Sequence, residues 1–237
     1  MSNLENLRAL RDSEIVLREE DHVYVFPDGS EICDSVTDIV ERQWPPFNKD
    51  VIAKSLTRNS LAYQHLTAEE LIEEWEATAD HGSLVHKELA EYVEFGKEPA
   101  EKKSVIGKRW LDHNTDSDSY FLCAELKVYG KSVQLAGQID LVVVDKITDN
   151  CFIFDWKTGK IEEPGKGRKA VTMVCSDLKG KHDQYSLQMS FYAHLLKEHG
   201  VTVKAQYIIH LMENRATVSE AKNCMEIVEK IIDSQFE

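Results

Sequence analysis

The sequence has few of the features that mark membrane, secreted or cluster-binding proteins. No apolar run approaches the ~20 residues that a transmembrane helix needs, so no membrane association is expected. The five cysteines are scattered and none forms a CxxC pair, so zinc-ribbon and iron–sulfur spacings are absent. The first twenty residues contain no apolar core, which predicts neither a secretory signal nor a transit peptide. We therefore expect a cytoplasmic protein with reduced thiols and no iron–sulfur cluster.

Acidic residues outnumber basic ones by 42 to 28, which gives a net charge of −14. This balance argues against a protein coated in nucleic acid, but it allows a local basic groove. Residues 67–101 hold eleven acids and two bases, whereas residues 155–181 hold seven bases and four acids. Charge runs are usually solvated faces. The alternative is that the acidic face at 67–101 binds a protein partner and the basic segment binds an anionic ligand.

Hydrophobic periodicity and turn residues predict the elements of the chain. Pro27-Asp-Gly29 predicts a hairpin turn, and Trp44-Pro-Pro46 ends a short helix that Ser35 caps. Thr67 and Glu70 form a capping box at the start of a helical region. The predicted elements are a hairpin over 22–26 and 30–33, a short helix over 35–43, a helical region over 67–93 (one helix or two joined near 80–82), strands over 120–129, 134–145 and 151–157, a mobile loop over 163–180, a helix over 184–198, a strand over 201–212 and an amphipathic helix over 218–236.

This order of elements, without internal repeats or low-complexity linkers, predicts one α/β or α+β domain over residues 1–237, with α/β as the preferred class. Residues 1–66 would form an N-terminal hairpin and helical extension. Residues 67–200 would carry the core motifs, and residues 201–237 a C-terminal strand and helix.

Two aspartates are predicted to meet on neighbouring strands. A turn at residues 146–150 places Asp140 across from Asp155 or Trp156, at the ~5 Å spacing of paired strands. Two opposed carboxylates in an apolar hairpin repel each other and lose hydration. A divalent cation such as Mg²⁺ or Mn²⁺ would offset that cost, and Lys157 lies on the same strand face as Asp155. The alternative is that both aspartates sit at frayed strand ends in water.

Four motifs then occur in a specific order. They are Gly82-Ser-Leu-Val-His86, Gly137-Gln-Ile-Asp140, Asp155-Trp-Lys157 and Gln188-Met-Ser-Phe-Tyr192. This set resembles the PD-(D/E)XK nuclease superfamily. Within it, the set is similar to the RecB-like branch of RecB-type nuclease domains, CRISPR-adaptation nucleases and mitochondrial genome maintenance exonucleases. The resemblance covers about half of the chain. It implies a restriction-endonuclease-like core, in which helices flank a central mixed sheet.

The resemblance also implies a metal site. Asp140 and Asp155 would bind Mg²⁺ or Mn²⁺, and His86 and the Trp156 backbone carbonyl would complete the ligand set. Lys157 would position the nucleophile or neutralise charge on the phosphate. His86 lies on an apolar helical face, where a histidine is usually a core residue, and His81 is a nearby competitor.

Further residues are implied as supporting or substrate-binding groups. Gln188 and Tyr192, four apart on one helical face, would support the site and contact the substrate backbone, or else form a boundary pair between the core and solvent. Glu125 would be a neighbouring acidic group or a ligand through water, or else an exposed strand glutamate. The bases of the loop would follow a phosphate backbone or merely keep the loop soluble; they are Lys160, Lys166, Arg168 and Lys169. Walker spacing is absent, so no nucleotide cofactor is expected.

The leading interpretation is a metal-dependent deoxyribonuclease that acts on DNA, as an exonuclease with a preference for single-stranded ends. DNA repair, recombination and phage DNA processing are all compatible with it. One alternative is an inactive nuclease-fold protein that acts as a binding or regulatory partner. Another is a sequence-specific endonuclease, which the histidine and QxxxY elements disfavour.

Overall fold

The computed structural model describes residues 1–13, 15–18, 20, 23–32, 34–130, 132–162 and 166–236. His22, Cys33 and residues 163–165, which belong to the predicted hairpin and loop, lie outside the described residues. Over this part of the chain, none of the helices combines the length and the hydrophobicity that a membrane span requires.

The described residues form seven helices and nine strands. The helices are α1 (Asn3–Arg11), α2 (Val36–Glu41), α3 (Lys49–Asn59), α4 (Ala68–Phe95), α5 (Lys102–Asn114), α6 (Gly180–Glu198) and α7 (Met225–Phe236). The strands are β1 (Val16–Arg18), β2 (Val23–Val25), β3 (Glu31–Ile32), β4 (Asp34–Ser35), β5 (Tyr120–Tyr129), β6 (Leu135–Asp145), β7 (Cys151–Lys157), β8 (Val203–Leu211) and β9 (Ala216–Glu220).

A mixed sheet forms the centre of the structure. Its strands run in the order β4-β6-β7-β8-β9, and β5 pairs with the other edge of β6. The β4–β6 and β7–β8 pairs are parallel, whereas β5–β6, β6–β7 and β8–β9 are antiparallel. Helix α6 makes the crossover between the parallel strands β7 and β8. A separate small sheet, β1-β2-β3, contains the predicted hairpin.

Helices cover both faces of the central sheet. One apolar cluster packs α1, α2, α6 and α7 against the strands around buried Phe191, Leu187 and Ile153. The other packs α4 and α5 against Trp156 and Leu141. The prediction of a mixed sheet flanked by helices is therefore confirmed.

Strong local signals gave the most accurate element predictions. Thr67 and Glu70 form the predicted capping box, and α4 is one continuous helix of 28 residues. Ser35 caps α2 as expected. Strands β5 and β7 occupy the predicted ranges, and β6 begins one residue later than predicted.

Two predicted elements need correction. The sequence predicts a C-terminal helix from Val218, but Val218 lies in β9 and α7 begins at Met225. Strand β9 is an edge strand whose ladder with β8 satisfies its backbone groups, and this pairing overrides helical periodicity. Helix α6 begins at Gly180, four residues before the predicted start, and the Asp183 carboxylate accepts a hydrogen bond from the Lys179 N–H (2.8 Å).

The described part of the predicted mobile loop packs against the end of α2. The Val171 N–H donates to the Gln43 carbonyl (2.8 Å), and the Ala170 N–H donates to the Leu178 carbonyl (3.1 Å). The Cys175 side chain is fully buried in the first apolar cluster. Residues 166–179 are therefore a folded segment of the structure rather than an open loop.

Candidate metal centre

Asp140 lies where strand β6 changes neighbours. Strand β5 follows one edge of β6, while the opposite edge pairs with β4 at residues 135–136 and with β7 at residues 141–144. The β6–β7 ladder ends at the Leu141–Phe154 pair, and Asp140 and Asp155 are the residues directly adjoining that end. The Asp140 Oδ2 atom accepts a hydrogen bond from the Trp156 backbone N–H (2.8 Å). The carboxylate is thereby fixed at the fork between β4 and β7.

His86 reaches Asp140 from helix α4. Its Nδ1 atom lies 3.3 Å from Asp140 Oδ1. Close packing at Gly82, one turn earlier, helps to place this helix, because a Cβ atom there would lie 3.2 Å from Thr158 Oγ1. The competing histidine, His81, is paired instead with Glu101 at 2.8 Å. The structure therefore selects His86 as the histidine that faces the aspartate.

Glu125 completes a group of three potential metal ligands. One ligand atom from each of His86, Glu125 and Asp140 lies within 4.8 Å of the others. The Glu125 carboxylate also accepts a hydrogen bond from Gln138. Its backbone has φ = +49°, which is unusual for a residue other than glycine. Such backbone strain clusters at functional sites, and here it occurs at the strand residue that faces Asp140.

Asp155 and Lys157 form an ion pair next to this group. Lys157 Nζ lies 2.6 Å from Asp155 Oδ2, and both side chains are largely buried. Asp155 is not a member of the three-residue group within the described part of the chain. The Trp156 backbone approaches Asp140 through its N–H. Metal binding by Asp155 and by the Trp156 carbonyl therefore stays a prediction.

The buried charges perturb one another strongly. Burial acts to lower the pKa of His86, but the Asp140 carboxylate outweighs it and raises that pKa to about 9. Burial acts to raise the pKa of Asp140, but His86 holds it below its ordinary value. Burial raises the pKa of Glu125 to about 7, and the charge of Asp140 adds to this shift. Without a metal, the positive charge of protonated His86 partly offsets the negative charge of the nearby carboxylates.

The pair next to the group is perturbed as well. Burial raises the pKa of Asp155 to about 6 against the opposing effect of Lys157. Burial acts to lower the pKa of Lys157, but Asp155 and Asp140 outweigh it and raise that pKa above its ordinary value. Lys157 is therefore a cation throughout the neutral range.

The chemistry of these donors fits a divalent cation. Two carboxylates and one imidazole converge, and oxygen and nitrogen donors of these kinds are ligands of divalent metal ions in proteins. A cation would relieve the repulsion between the Glu125 and Asp140 carboxylates. It would also displace the proton of His86, because a metal ligand must be neutral imidazole.

Gln188 and Tyr192 lie together behind the fork. Gln188 Nε2 donates to the Tyr192 hydroxyl (3.0 Å) and to Thr37 Oγ1 (3.3 Å). A Cβ atom on Gly137 would lie 2.5 Å from Tyr192 Cε1, so the ring packs directly on the β6 backbone. The close approach of the Tyr192 ring therefore requires a residue without a side chain at Gly137.

Sequence reasoning missed two residues near the lysine. The Tyr185 ring centroid lies 4.5 Å from Lys157 Nζ. Its spacing from Gln188 and Tyr192 on one helical face was the available signal. Lys103, on α5, donates to the Thr158 carbonyl directly after β7 (2.8 Å). No local pattern around Lys103 pointed to that contact.

The predicted charged segments are placed as follows. Lys160, Lys166, Arg168 and Lys169 are all exposed. In the acidic segment, six acids on the N-terminal half of α4 are exposed, and several later acids have structural roles. Glu94, for example, pairs with Arg11 (2.8 Å) and accepts a hydrogen bond from the Ala124 N–H (3.0 Å). A protein partner at this face stays a prediction.

A cleft of about 890 Å³ opens beside the group of three potential metal ligands. Helix α4 forms one wall of this cleft, which reaches His86, Glu125 and Gln138. The potential ligands His86 and Glu125 therefore line a cleft that is open to solvent.

Comparison with known proteins agrees with this geometry. The family model described as the PD-(D/E)XK nuclease superfamily matches residues 27–231. The chain therefore belongs to the PD-(D/E)XK nuclease superfamily, and its helix-flanked mixed sheet is consistent with the restriction-endonuclease-like fold. No curated protein matches the chain. A solved structure described as "Crystal structure of SSO0001" is 13% identical over 99% of this chain and 87% of that chain, with a TM-score of 0.40. That similarity supports no statement about activity.

Proposed function

We propose that this protein is a metal-dependent deoxyribonuclease that hydrolyses phosphodiester bonds. The observation that carries the proposal is the convergence of His86, Glu125 and Asp140 within 4.8 Å, next to the Asp155–Lys157 ion pair. Membership of a nuclease superfamily supports the same chemistry. DNA is the proposed substrate class.

Each residue of the centre has a role in this proposal. His86, Glu125 and Asp140 hold a divalent cation, with Asp155 and the Trp156 carbonyl as further ligand candidates. When bound, Mg²⁺ or Mn²⁺ would polarise the phosphate and lower the pKa of a water molecule.

Lys157 acts as a fixed positive charge. Its raised pKa keeps it protonated, so it is suited to orient the nucleophile or to neutralise the phosphate and unsuited to accept a proton. Asp155, at 2.6 Å, holds the ammonium group in place. Gln188 and Tyr192 support β6 behind the centre, and the exposed bases at 160, 166, 168 and 169 contact the phosphate backbone.

We further propose that the chain is RecB-like and acts as an exonuclease on single-stranded ends, in DNA repair, recombination or phage DNA processing. The order of the four motifs supports the RecB-like assignment. The continuous helix α4 forms one wall of the cleft that reaches His86 and Glu125. This wall supports the proposal because it would limit the space for DNA on that side of the cleft.

Cleavage of end-labelled linear DNA and of circular DNA tests the proposal. Single-stranded, blunt-ended and circular DNA would be incubated with Mg²⁺, Mn²⁺ or EDTA, using wild type, Lys157→Ala and the matched control Lys204→Ala, which changes an exposed lysine on β8. We expect metal-dependent cleavage of linear single strands by wild type and Lys204→Ala, and a loss of about 100-fold or more in Lys157→Ala. Cleavage of circular DNA would show that the enzyme is an endonuclease and would contradict the exonuclease assignment. Folded wild type that cuts no DNA with either metal would refute the proposed function.

A further inference from the structure

A second cleft, also of about 890 Å³, lies between the segment after α2 and the start of α6. It is lined by aromatic, proline and charged residues. Its apolar wall consists of Trp44, Pro45, Pro46 and Phe47, and its cations are Arg42, Lys49, Arg168 and Lys181. Arg42 is paired with Asp34 and Lys49 with Glu76.

The aromatic wall of this second cleft is held in place. The Trp44 ring is buried, and its Nε1–H donates to the Arg168 carbonyl (3.2 Å). Phe47 is 57% exposed and packs against Trp75 on α4, with ring centroids 5.4 Å apart. A phenylalanine that is more than half exposed and fixed by a second aromatic ring is a ready stacking surface for a nucleobase.

Two cations of this cleft are available to an anion. The Arg168 guanidinium donates to the Pro45 carbonyl (3.3 Å), and Lys181 Nζ donates to Gln184 Oε1 (3.1 Å). Neither cation pairs with a carboxylate among the residues that the structure describes. In a chain with a net charge of −14, such cations beside an exposed aromatic ring favour an anionic ligand with flat apolar groups.

Three acids, Asp38, Glu41 and Glu162, also line the cleft. The lining is therefore no continuous basic trough of the kind that follows both backbones of a duplex. Proteins that bind single-stranded DNA commonly combine phosphate contacts with the stacking of bases on aromatic side chains.

The side chain of Tyr185 lies between the second cleft and Lys157. The Tyr185 ring centroid lies 4.5 Å from Lys157 Nζ and 6.0 Å from Lys181 Nζ. Lys181, Tyr185, Gln188 and Tyr192 follow one another at spacings of four, three and four residues, so they form a stripe along one face of α6. The part of this stripe nearest the cleft, Lys181 and Tyr185, lies between the cleft and Lys157.

We propose that this second cleft binds the bases of single-stranded DNA next to the phosphate that is cut, with Phe47 as the stacking platform and Arg168 and Lys181 as phosphate contacts. This inference rests on the proposed nuclease function of the Lys157 centre. It adds a binding site that selects unpaired bases.

Binding is tested without cleavage. Fluorescence anisotropy in EDTA would measure the affinity of a labelled single-stranded oligonucleotide and of a blunt duplex. The variants are Phe47→Ala, Phe47→Trp and Arg168→Ala/Lys181→Ala. The controls are Ile147→Ala, an exposed position at the β6–β7 turn, and Lys204→Ala.

We expect Phe47→Ala to weaken single-strand binding about tenfold or more, and Phe47→Trp to restore it. The double variant should lower the salt dependence of binding by about 0.7 per lost phosphate contact. In cleavage assays, Phe47→Ala should raise KM far more than it lowers kcat. The two control variants should bind like wild type.

The result separates this inference from the proposed function. Cleavage by wild type with unchanged single-strand affinity in Phe47→Ala would overturn the binding site and leave the nuclease intact. Stacking-dependent binding without cleavage would support the binding site and refute the nuclease. Failure of wild type to bind single strands, or an equal loss for duplex in Phe47→Ala, would overturn the inference and point to a protein ligand for the cleft.

Discussion

Asp140 accepts a hydrogen bond of 2.8 Å from the backbone N–H of Trp156 on the neighbouring strand. The bond fixes one carboxylate oxygen to the backbone next to Lys157, and the other oxygen lies 3.3 Å from His86 Nδ1. One side chain therefore connects strand β7, strand β6 and helix α4. The orientation of the centre is set by the junction of these three elements.

Glu125 is expected to bind the metal directly and so to contribute to metal affinity. We predict that Glu125→Gln weakens Mn²⁺ binding by about tenfold or more, because it removes one carboxylate from the three-residue group. Isothermal titration calorimetry would measure the affinity, with Asp155→Asn as the comparison variant. Unchanged affinity in Glu125→Gln, together with lost binding in Asp155→Asn, would show that Asp155 is the ligand instead.

The metal-free protein should lose stability as the pH rises from about 6.5 to 9. The pKa of His86 is raised to about 9 in the folded state. Protonation of His86 therefore adds its full stabilisation below the unfolded-state pKa of about 6.5, and this stabilisation is lost as the pH rises through the folded-state pKa. Mn²⁺ should stabilise the protein increasingly over the same range, because bound ligands must lose their protons. Thermal unfolding in EDTA and in Mn²⁺ at several pH values checks both trends, with His86→Gln as the variant. A wild-type profile that matches His86→Gln in EDTA would contradict this account.

Gly137→Ala should destabilise the protein by about 1–3 kcal/mol, because the added methyl group overlaps the buried ring of Tyr192. Urea unfolding measures the change in the free energy of unfolding. Gly159→Ala is the matched control, since a Cβ atom there meets nothing within 4 Å. Equal stability of the two variants would mean that Gly137 has no packing role.

The Tyr185 ring should assist catalysis through its contact with the Lys157 ammonium group. A cation–π contact of about 0.5–2 kcal/mol predicts that Tyr185→Leu lowers kcat roughly 2- to 30-fold. Tyr185→Phe should retain the wild-type rate, because the ring remains. A loss in Phe equal to the loss in Leu would assign the effect to the hydroxyl group.

Much of the fold could be predicted because its signals are local. The capping box at Thr67 and the apolar strands 120–129 and 151–157 are recorded in short stretches of sequence. Strand β4 is two residues long and is defined only by its pairing with β6, so no local pattern predicts it. Helix α1 was missed although Ser2 and Glu5 form a capping box that the sequence displays.

The candidate site was predicted in part for the same reason. The motifs identify Asp140, Asp155, Lys157 and His86 as a set, but they do not give the distances between them. Glu125 has no feature in its own strand that separates it from an exposed glutamate. Only the register of β5 on β6 brings it to Asp140, and register depends on contacts far apart in sequence.

The location of a bound ion tests the central claim most directly. Crystals of the wild-type protein grown with Mn²⁺ would be measured for anomalous scattering at the manganese edge. We predict a single strong peak within about 2.0–2.6 Å of donor atoms from His86, Glu125 and Asp140, with Lys157 still paired to Asp155. A peak that contacts none of these three side chains, or no peak at saturating Mn²⁺, would contradict the metal centre.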